Sequence, residues 1–163
     1  MKVIYKLGDD ISTDHIYPGR YMATVLPTET PQYAFSDLQD LNTILNEGDK
    51  SQTRIIVAGS NFGTGSSREQ AVSTLVGHNL LIVARNFARI FFQNSINLGL
   101  KTIICPTIEA NVGDNLDFFD NKIVNSTSGK EFPIIPIPEA RKAIVEAGGL
   151  ISYTRKLVLE RQK

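Results

Sequence analysis

The residues best suited to chemistry in this sequence lie between positions 59 and 70, where the one-letter sequence is GSNFGTGSSREQ. Three glycines allow tight turns and leave backbone amides uncovered, and the helix predicted to follow adds free N–H groups and the positive end of its dipole. Such a loop binds anions. Ser66 and Ser67 add two hydroxyls, and Arg68 adds a planar guanidinium that suits a carboxylate. The pattern therefore predicts a carboxylic acid as the ligand or substrate.

Spacing excludes three better-known loop motifs. A Walker-type phosphate loop needs a lysine before its Ser or Thr, and no lysine occurs between Lys50 and Lys101. A dinucleotide-binding loop needs a third glycine at the position of Arg68. A nucleophile elbow needs glycines two residues to either side of its serine, whereas Ser67 follows Ser66 directly and precedes Arg68.

Simpler roles for the two serines stay open from the residues alone. Ser is a favoured helix cap, and Glu69 and Gln70 could support the first turn of the helix. The chain could also be a free-standing carboxylate-binding module, or a structural subunit whose glycine loop only fits a partner surface. Against both, adjacent hydroxyls add chemistry that binding does not require, and a buried guanidinium without an anion is costly.

The elements that must position this loop alternate between strand and helix. The apolar runs predict strands at residues 3–7, 55–58 and 80–84 and from residue 103, and helices within residues 32–46, 69–77 and 86–98. This order favours parallel strands joined by right-handed crossovers. The first half of the chain is therefore predicted to be of the α/β class.

The second part of the chain has a different texture. Turn residues separate short segments at residues 116–119, 122–124 and 132–137, which predicts small antiparallel strands. Pro138 opens a last helical region, which Gly148 and Gly149 interrupt and residues 150–159 resume as a basic tail. No linker-like change in composition separates the two parts, so we expect one domain over residues 1–163.

Composition limits the partners. Seventeen basic residues balance seventeen acidic ones among 163, which gives no electrostatic reason to expect nucleic acid or an anionic membrane. No apolar stretch approaches the roughly 18 residues that span a bilayer. The first six residues lack the apolar core of a signal peptide, so a cytoplasmic location is expected. The oligomeric state of the isolated chain stays open, a homo-oligomer included.

Cysteine and histidine usage argues against a metal site in this chain. Cys105 is the only cysteine, whereas an iron–sulfur cluster needs about three or four cysteine ligands. Its apolar surroundings predict a buried, inert thiol. His15 and His78 are the only histidines, without metal-binding spacing, and His78 is predicted to lie in a surface turn.

Three segments together carry a resemblance to a known family. They are residues 8–21, 61–69 and 84–100, which in one-letter code are GDDISTDHIYPGRY, NFGTGSSRE and ARNFARIFFQNSINLGL. In this order they resemble the swivel domain of the aconitase superfamily, in the form carried by separate small subunits of isopropylmalate dehydratase and homoaconitase. The resemblance implies a swivelling β/β/α domain, with a partly parallel sheet flanked by helices and additional short antiparallel strands. Gln70 departs from the family pattern, in which many members have His.

The resemblance implies a division of labour between two subunits. In the family a [4Fe–4S] cluster in a separate large subunit polarises the leaving hydroxyl, so this chain is expected to bind no cofactor. Ser66 would be the base, acting as an alkoxide, while Ser67 and Arg68 would bind a substrate carboxylate. Asp14 would face the cleft and support Arg68 and the substrate. The implied partners are the large subunit and a small hydroxy acid.

Substrate choice is expected to depend on the segment Tyr21, Met22, Ala23 and Thr24. Homoaconitase-type relatives tend to carry Arg at the third of these positions, where it meets a distal carboxylate. Ala23 cannot pair with a carboxylate, and leaving one unpaired would cost several kcal/mol. We therefore expect isomerisation of 2-isopropylmalate to 3-isopropylmalate, with homoaconitase or a dimethylmalate or methylmalate hydratase as alternatives. Gln70 weakly favours homoaconitase.

Overall fold

A computed structural model describes residues 1–162 of the chain. Six helices and seven strands follow one another along these residues. They are β1 (Val3–Lys6), α1 (Thr13–Ile16), α2 (Gln39–Glu47), β2 (Arg54–Ala58), α3 (Glu69–Val76), β3 (Leu80–Ala84), α4 (Arg89–Leu98), β4 (Lys101–Ile104), β5 (Leu116–Phe118), β6 (Lys122–Asn125), β7 (Lys130–Pro133), α5 (Glu139–Glu146) and α6 (Leu150–Arg161). Single 3₁₀ turns cover Gly19–Tyr21 and Thr30–Tyr33.

The central element is a parallel sheet in the order β1-β2-β3-β4. Every residue of β2 and β3 is buried, as expected for parallel strands covered on both faces. The predicted parallel arrangement is confirmed. It brings the carboxyl ends of β1, β2 and β3 to one edge, where the loops that follow them meet.

The two faces of this sheet are covered by different layers. On one face Ile56, Ala58 and Ile82 pack with buried side chains of α2, α3 and α4. On the other face Ile55 and Val57 pack against the antiparallel sheet β5-β6-β7. Alternation along β2 thus sends successive side chains into separate cores. The predicted β/β/α layering is confirmed.

The helix predicted within residues 32–46 is present as α2, which begins at Gln39, after a left-handed backbone at Phe35 with φ of 52°. Two other predicted boundaries are wrong. The helix expected from residue 86 begins at Arg89, because residues 86–88 pair instead with an extended segment. The third antiparallel strand ends at Pro133 rather than residue 137, in a stretch whose prolines lack the N–H that a sheet ladder needs.

The prediction that His78 lies in a surface turn is right about the turn and wrong about the surface. His78 is fully buried after the end of α3, and its Nε2 lies 2.7 Å from the carbonyl oxygen of Pro31. Burial lowers the pKa of the imidazole below its ordinary value. His78 therefore joins α3 to the Thr30–Tyr33 turn from inside the protein.

The C-terminal helices form as expected. Pro138 is the residue before α5, and Gly149, with φ of 107°, precedes α6. A Cβ on Gly149 would lie 2.6 Å from the carbonyl oxygen of Asn97, so a glycine is required where these helices meet the end of α4. Across residues 1–162, no helix combines the length and apolar character that crossing a membrane requires.

Candidate active site

The three motif segments meet beyond the carboxyl end of β2. The backbone of residues 62–64, in the loop after β2, makes hydrogen bonds to a segment on each side. On one side it pairs with residues 11–13 through two N–H to O hydrogen bonds of 2.7 Å. On the other it pairs with residues 86–88 through bonds of 2.9 and 3.2 Å. The ladder therefore fixes the three segments relative to one another before any side chain is considered.

Aromatic packing then sets the path of the glycine loop. Phe62 is fully buried and meets the rings of Phe87 and Phe91 edge to face, with centroids 5.8 and 5.3 Å away. Gly63 has φ of 82°, and a Cβ there would lie 2.1 Å from the Phe91 ring. Only glycine fits this position. The loop is consequently pressed against α4, and its next residues are directed to the surface.

Ser66 lies on the exposed part of the loop, in contact with Thr13 of α1. The two hydroxyl oxygens are 3.2 Å apart, and the Ser66 amide donates to Thr13 Oγ1 over 3.1 Å. Gly65, with φ of 101°, permits this approach, since a Cβ there would lie 3.2 Å from Thr13 Oγ1. Thr13 thus holds both the amide and the hydroxyl of Ser66, while the residue stays exposed to solvent.

The one-turn helix α1 is held by a capping box. The Ser12 hydroxyl accepts from the His15 amide, and His15 Nδ1 accepts from the Ser12 amide, both over 3.1 Å. His15 therefore has a structural role in keeping α1 formed. Within residues 1–162, no cluster of three or more His, Cys, Asp or Glu side chains could hold a metal ion.

Arg68 forms an ion pair with Asp14, the residue after Thr13. Its Nη1 donates to Asp14 Oδ1 and, over 3.4 Å, to the carbonyl oxygen of Tyr17. The Arg68 side chain is 20% exposed and that of Asp14 is 60% exposed, so the pair lies at the protein surface. The hydrogen bond from Arg68 holds the pKa of the Asp14 carboxyl below its usual range. Asp14 therefore stays ionised at neutral pH.

Gly19 completes the wall around the ion pair. A Cβ at this position would lie 3.4 Å from Asp14 Oδ1 and 3.6 Å from Arg68 Nη2. Both distances correspond to ordinary van der Waals contact, so the Gly19 backbone lies directly against the ion pair.

The interpretation that the serines only cap a helix is wrong. The residue that caps α3 is Arg68, and no side chain supplies a capping hydrogen bond there. Ser67 is exposed, and its carbonyl accepts from Asn94 of α4 over 3.4 Å. Free amides at the start of α3, the guanidinium and the two hydroxyls are consequently grouped at one exposed place, an arrangement suited to binding an organic anion.

The predicted specificity segment is anchored next to this site. The hydroxyl of Tyr17 lies 3.0 Å from the Tyr21 carbonyl oxygen and 3.1 Å from that of Thr24. The Tyr21 ring stacks on the Tyr33 ring with centroids 4.1 Å apart, and this contact helps to fix the segment. The Met22 and Ala23 side chains are exposed. Since the Tyr17 carbonyl also contacts Arg68, one tyrosine joins the segment to the ion pair.

Cys105 lies elsewhere, in the core between the two sheets. It is fully buried, and its thiol donates to the Pro133 carbonyl oxygen over 3.4 Å. Burial raises the pKa of the thiol to about 11. The predicted buried position is confirmed. One buried, protonated thiol cannot hold a [4Fe–4S] cluster, which needs several cysteine thiolates.

Sequence reasoning missed three residues that shape the site. Thr13 touches Ser66, Tyr17 anchors the specificity segment, and Asn94 reaches the carbonyl of Ser67. Thr13 adjoins the predicted Asp14, so its position was a usable indication. The contacts of Tyr17 and Asn94 depend on loop paths that no local pattern gives.

Comparison with known proteins identifies the class of this fold and site. Residues 16–107 match the family described as the aconitase C-terminal domain. This is the swivel domain that the three motif segments resemble. The match includes Tyr17, the glycine loop with Arg68, and α4, and it begins two residues after Asp14.

The relatives are more specific. A 3-isopropylmalate dehydratase small subunit of Methanosarcina mazei is 43% identical over 162 residues, covering 96% of this chain and 97% of the relative. A 3-isopropylmalate dehydratase small subunit 1 of Archaeoglobus fulgidus is 39% identical, covering 94% and 95%. A crystal structure of 3-isopropylmalate dehydratase from Methanocaldococcus jannaschii has a TM-score of 0.84 and 36% identity, covering 99% of this chain and 98% of that chain. The chain belongs to the family of 3-isopropylmalate dehydratase small subunits within the aconitase superfamily.

Proposed function

We propose that this chain is the small subunit of a two-subunit hydro-lyase of leucine biosynthesis, which isomerises 2-isopropylmalate to 3-isopropylmalate by dehydration and rehydration. One observation carries the proposal: the Ser66 hydroxyl and the Arg68 guanidinium, both free of helix capping, are held on one exposed edge by neighbouring residues of α1. Family membership supports the same assignment.

The reaction defines what this edge must do. A proton has to leave a carbon next to a carboxylate, and hydroxide has to leave the neighbouring carbon before water returns in the other sense. Ser66 is the group we assign to the proton transfer, because its oxygen is exposed and anchored. An isolated serine is far too weak an acid to serve as an alkoxide. The nearby guanidinium and the start of α3 both favour negative charge at this place.

Arg68 is the group we assign to a substrate carboxylate. Its fork already pairs with Asp14, which orients the guanidinium and leaves the remaining N–H groups for the substrate. Asp14 is thus a supporting residue in this scheme. Ser67 precedes Arg68 and is exposed, and we assign it as the second contact to the same substrate carboxylate.

An open edge of this kind requires a partner to complete the cleft. Three apolar side chains are exposed within residues 22–26, a few positions after Asp14. They are Met22 at 40%, Val25 at 62% and Leu26 at 53%. Covering them would exclude water from the reacting groups. The partner we propose is the large subunit, which is also expected to supply the metal cluster that polarises the leaving hydroxyl.

Ala23 is the basis of the substrate assignment. Its small, exposed side chain can adjoin an isopropyl group, whose burial is favourable, but it offers no partner to a second carboxylate. A wild-type preference for a tricarboxylic acid such as homoaconitate would instead support the homoaconitase alternative.

The test is reconstitution with the cognate large subunit. The purified chain should contain no iron and show no isomerase activity alone, and activity on isopropylmalate should appear when the large subunit is added. Appreciable activity without the partner would contradict the proposal. So would a reconstituted enzyme that prefers homoaconitate to isopropylmalate in kcat/KM.

Ala23→Arg sharpens the same test. The introduced guanidinium should offer a charge-assisted bond to a distal carboxylate and reject an isopropyl group, and attraction and rejection together should reverse the order of the two kcat/KM values. The matched control is Arg141→Ala, which removes an exposed positive charge on α5, outside the segment of residues 21–24. An unchanged ratio in Ala23→Arg would remove Ala23 from the specificity segment.

A further inference from the structure

Thr13 is the buried neighbour of the exposed Ser66. Its side chain is 1% exposed, and its Oγ1 accepts the Ser66 amide N–H over 3.1 Å while lying 3.2 Å from the Ser66 hydroxyl oxygen. The Thr13 backbone is fixed as well, since its amide donates to the Thr64 carbonyl over 2.7 Å. One hydroxyl therefore contacts both the backbone and the side chain of Ser66.

The direction of the bond between the two hydroxyls follows from proton accounting. A threonine hydroxyl has one proton to donate, and a buried donor is almost always paired. Among residues 1–162, Ser66 Oγ is the acceptor that lies within hydrogen-bond distance of Thr13 Oγ1. If Ser66 donated instead, the buried Thr13 proton would have no partner. This accounting favours Thr13 as the donor, with the Ser66 proton directed toward solvent.

We propose that Thr13 is a positioning residue that donates a hydrogen bond to Ser66 Oγ and so stabilises the deprotonated form of that hydroxyl. The inference rests on the proposed function of Ser66 as the base. A hydrogen bond to an anionic oxygen is roughly twice as strong as one between neutral groups, so Thr13 favours the alkoxide over the alcohol. A Thr13 that only supports the Gly65 turn would have no such preference.

The first experiment needs neither the large subunit nor the substrate. In a Cys105→Ala background, Ser66→Cys places a thiol at the site, whose pKa is measured from the pH dependence of its reaction with a thiol reagent. Replacing Thr13 by Val should raise that pKa by about 1 unit, because the donor to the thiolate is lost. Thr74→Val, which removes another buried hydroxyl that bonds to Thr30, is the control and should leave the pKa unchanged.

The second experiment uses the reconstituted enzyme. Thr13→Val should lower kcat about 100-fold with little change in KM, the effect typical of losing one donor to a developing oxyanion. Thr13→Ser keeps the hydroxyl and should stay within a few-fold of the wild type. In a Ser66→Ala background, Thr13→Val should cost little more, because its effect acts through Ser66.

Several outcomes would overturn the inference. They are an unchanged thiol pKa, equal losses in Thr13→Val and Thr13→Ser, or a full additional loss in the Ser66→Ala background. If Thr13→Val lowers the melting temperature, Thr13→Ala gives the same comparison without a methyl next to the Ser66 amide. A wild type that lacks isomerase activity with its large subunit would contradict the proposed function, whereas the thiol titration would still decide the role of Thr13.

Discussion

The two faces of the parallel sheet place their reactive atoms in opposite environments. On the helical side, the loop after β2 carries Ser66 to an exposed edge, with a hydroxyl partner and a guanidinium near it. On the side of the antiparallel sheet, Cys105 is the intrinsically better nucleophile, but it is fully buried and its pKa is raised to about 11. A thiol without access or ionisation is inert, while a weakly acidic hydroxyl becomes useful where its surroundings favour the anion.

The difference teaches that position at a strand end matters more here than intrinsic reactivity. Ser66 follows β2 at the carboxyl edge of the sheet, where loops from three parallel strands converge. Cys105 directly follows β4, yet the chain turns there beneath β5–β7, and the thiol is sealed between layers. The following changes test this comparison.

The largest effect is expected from Ser66→Ala. Turnover of the reconstituted enzyme should fall by about 10³-fold or more, with a much smaller change in KM, because the group acts mainly in the transition state. Cys105→Ala is the matched removal on the other face and should leave turnover near the wild-type value. Near-normal turnover in Ser66→Ala would show that the Ser66 hydroxyl is no more involved in the reaction than the Cys105 thiol.

A smaller effect is expected from Arg68→Lys. An ammonium cannot reproduce the planar fork that contacts Asp14 and a carboxylate, so kcat/KM should fall about 10- to 100-fold, with KM affected as well as kcat. Arg20→Lys changes an exposed arginine that pairs with Asp37 and serves as the control. Equal, small effects of the two substitutions would show that the guanidinium at position 68 does not meet substrate.

His78 gives a test of burial through pH. Because its folded pKa lies below the ordinary 6.5, the unfolded chain binds a proton that the folded chain does not as pH falls through that value. Its contribution to stability is therefore complete above about pH 6.5 and is lost as the pH falls toward the folded pKa. The melting temperature should drop by a few degrees more between pH 7 and 5 in the wild type than in His78→Gln. Equal drops in melting temperature for the two proteins would show that groups other than His78 cause the loss of stability at low pH.

The smallest effect concerns Cys105 itself. In the native chain its thiol should react with a neutral thiol reagent far more slowly than in the denatured chain, since burial and protonation both protect it. Cys105→Ala should cost about 1 kcal/mol of unfolding free energy, as for a typical small loss of core volume. Rapid labelling of the native chain at neutral pH would contradict the sealed position between the sheets.

Much of the fold could be predicted from sequence because its signals are local. The continuous apolar runs of β2 and β3 and the alternation of elements predict a parallel sheet without further information. The missed boundaries have non-local causes. Residues 86–88 look helical by composition but pair with the backbone of Phe62 instead.

Motifs in the sequence select the candidate site residues, but they do not give the contacts of those residues. Ser66, Arg68 and Asp14 come from motifs, and the structure brings Arg68 and Asp14 together as an ion pair. Thr13 was passed over because its significance depends on a contact with a residue 53 positions away. His78 lies in the predicted turn, but its burial was missed because the carbonyl oxygen that it contacts belongs to Pro31, in a distant segment.

The clash that a side chain at Gly63 would make with Phe91 has a consequence for how this family can diversify. The path of the loop depends on the Phe91 ring of α4 and on the backbone hydrogen bonds of residues 62–64. Positions that follow this turn, such as Gln70, can differ between relatives without changing that path. Gly63 is the position where we expect substitution to be least tolerated.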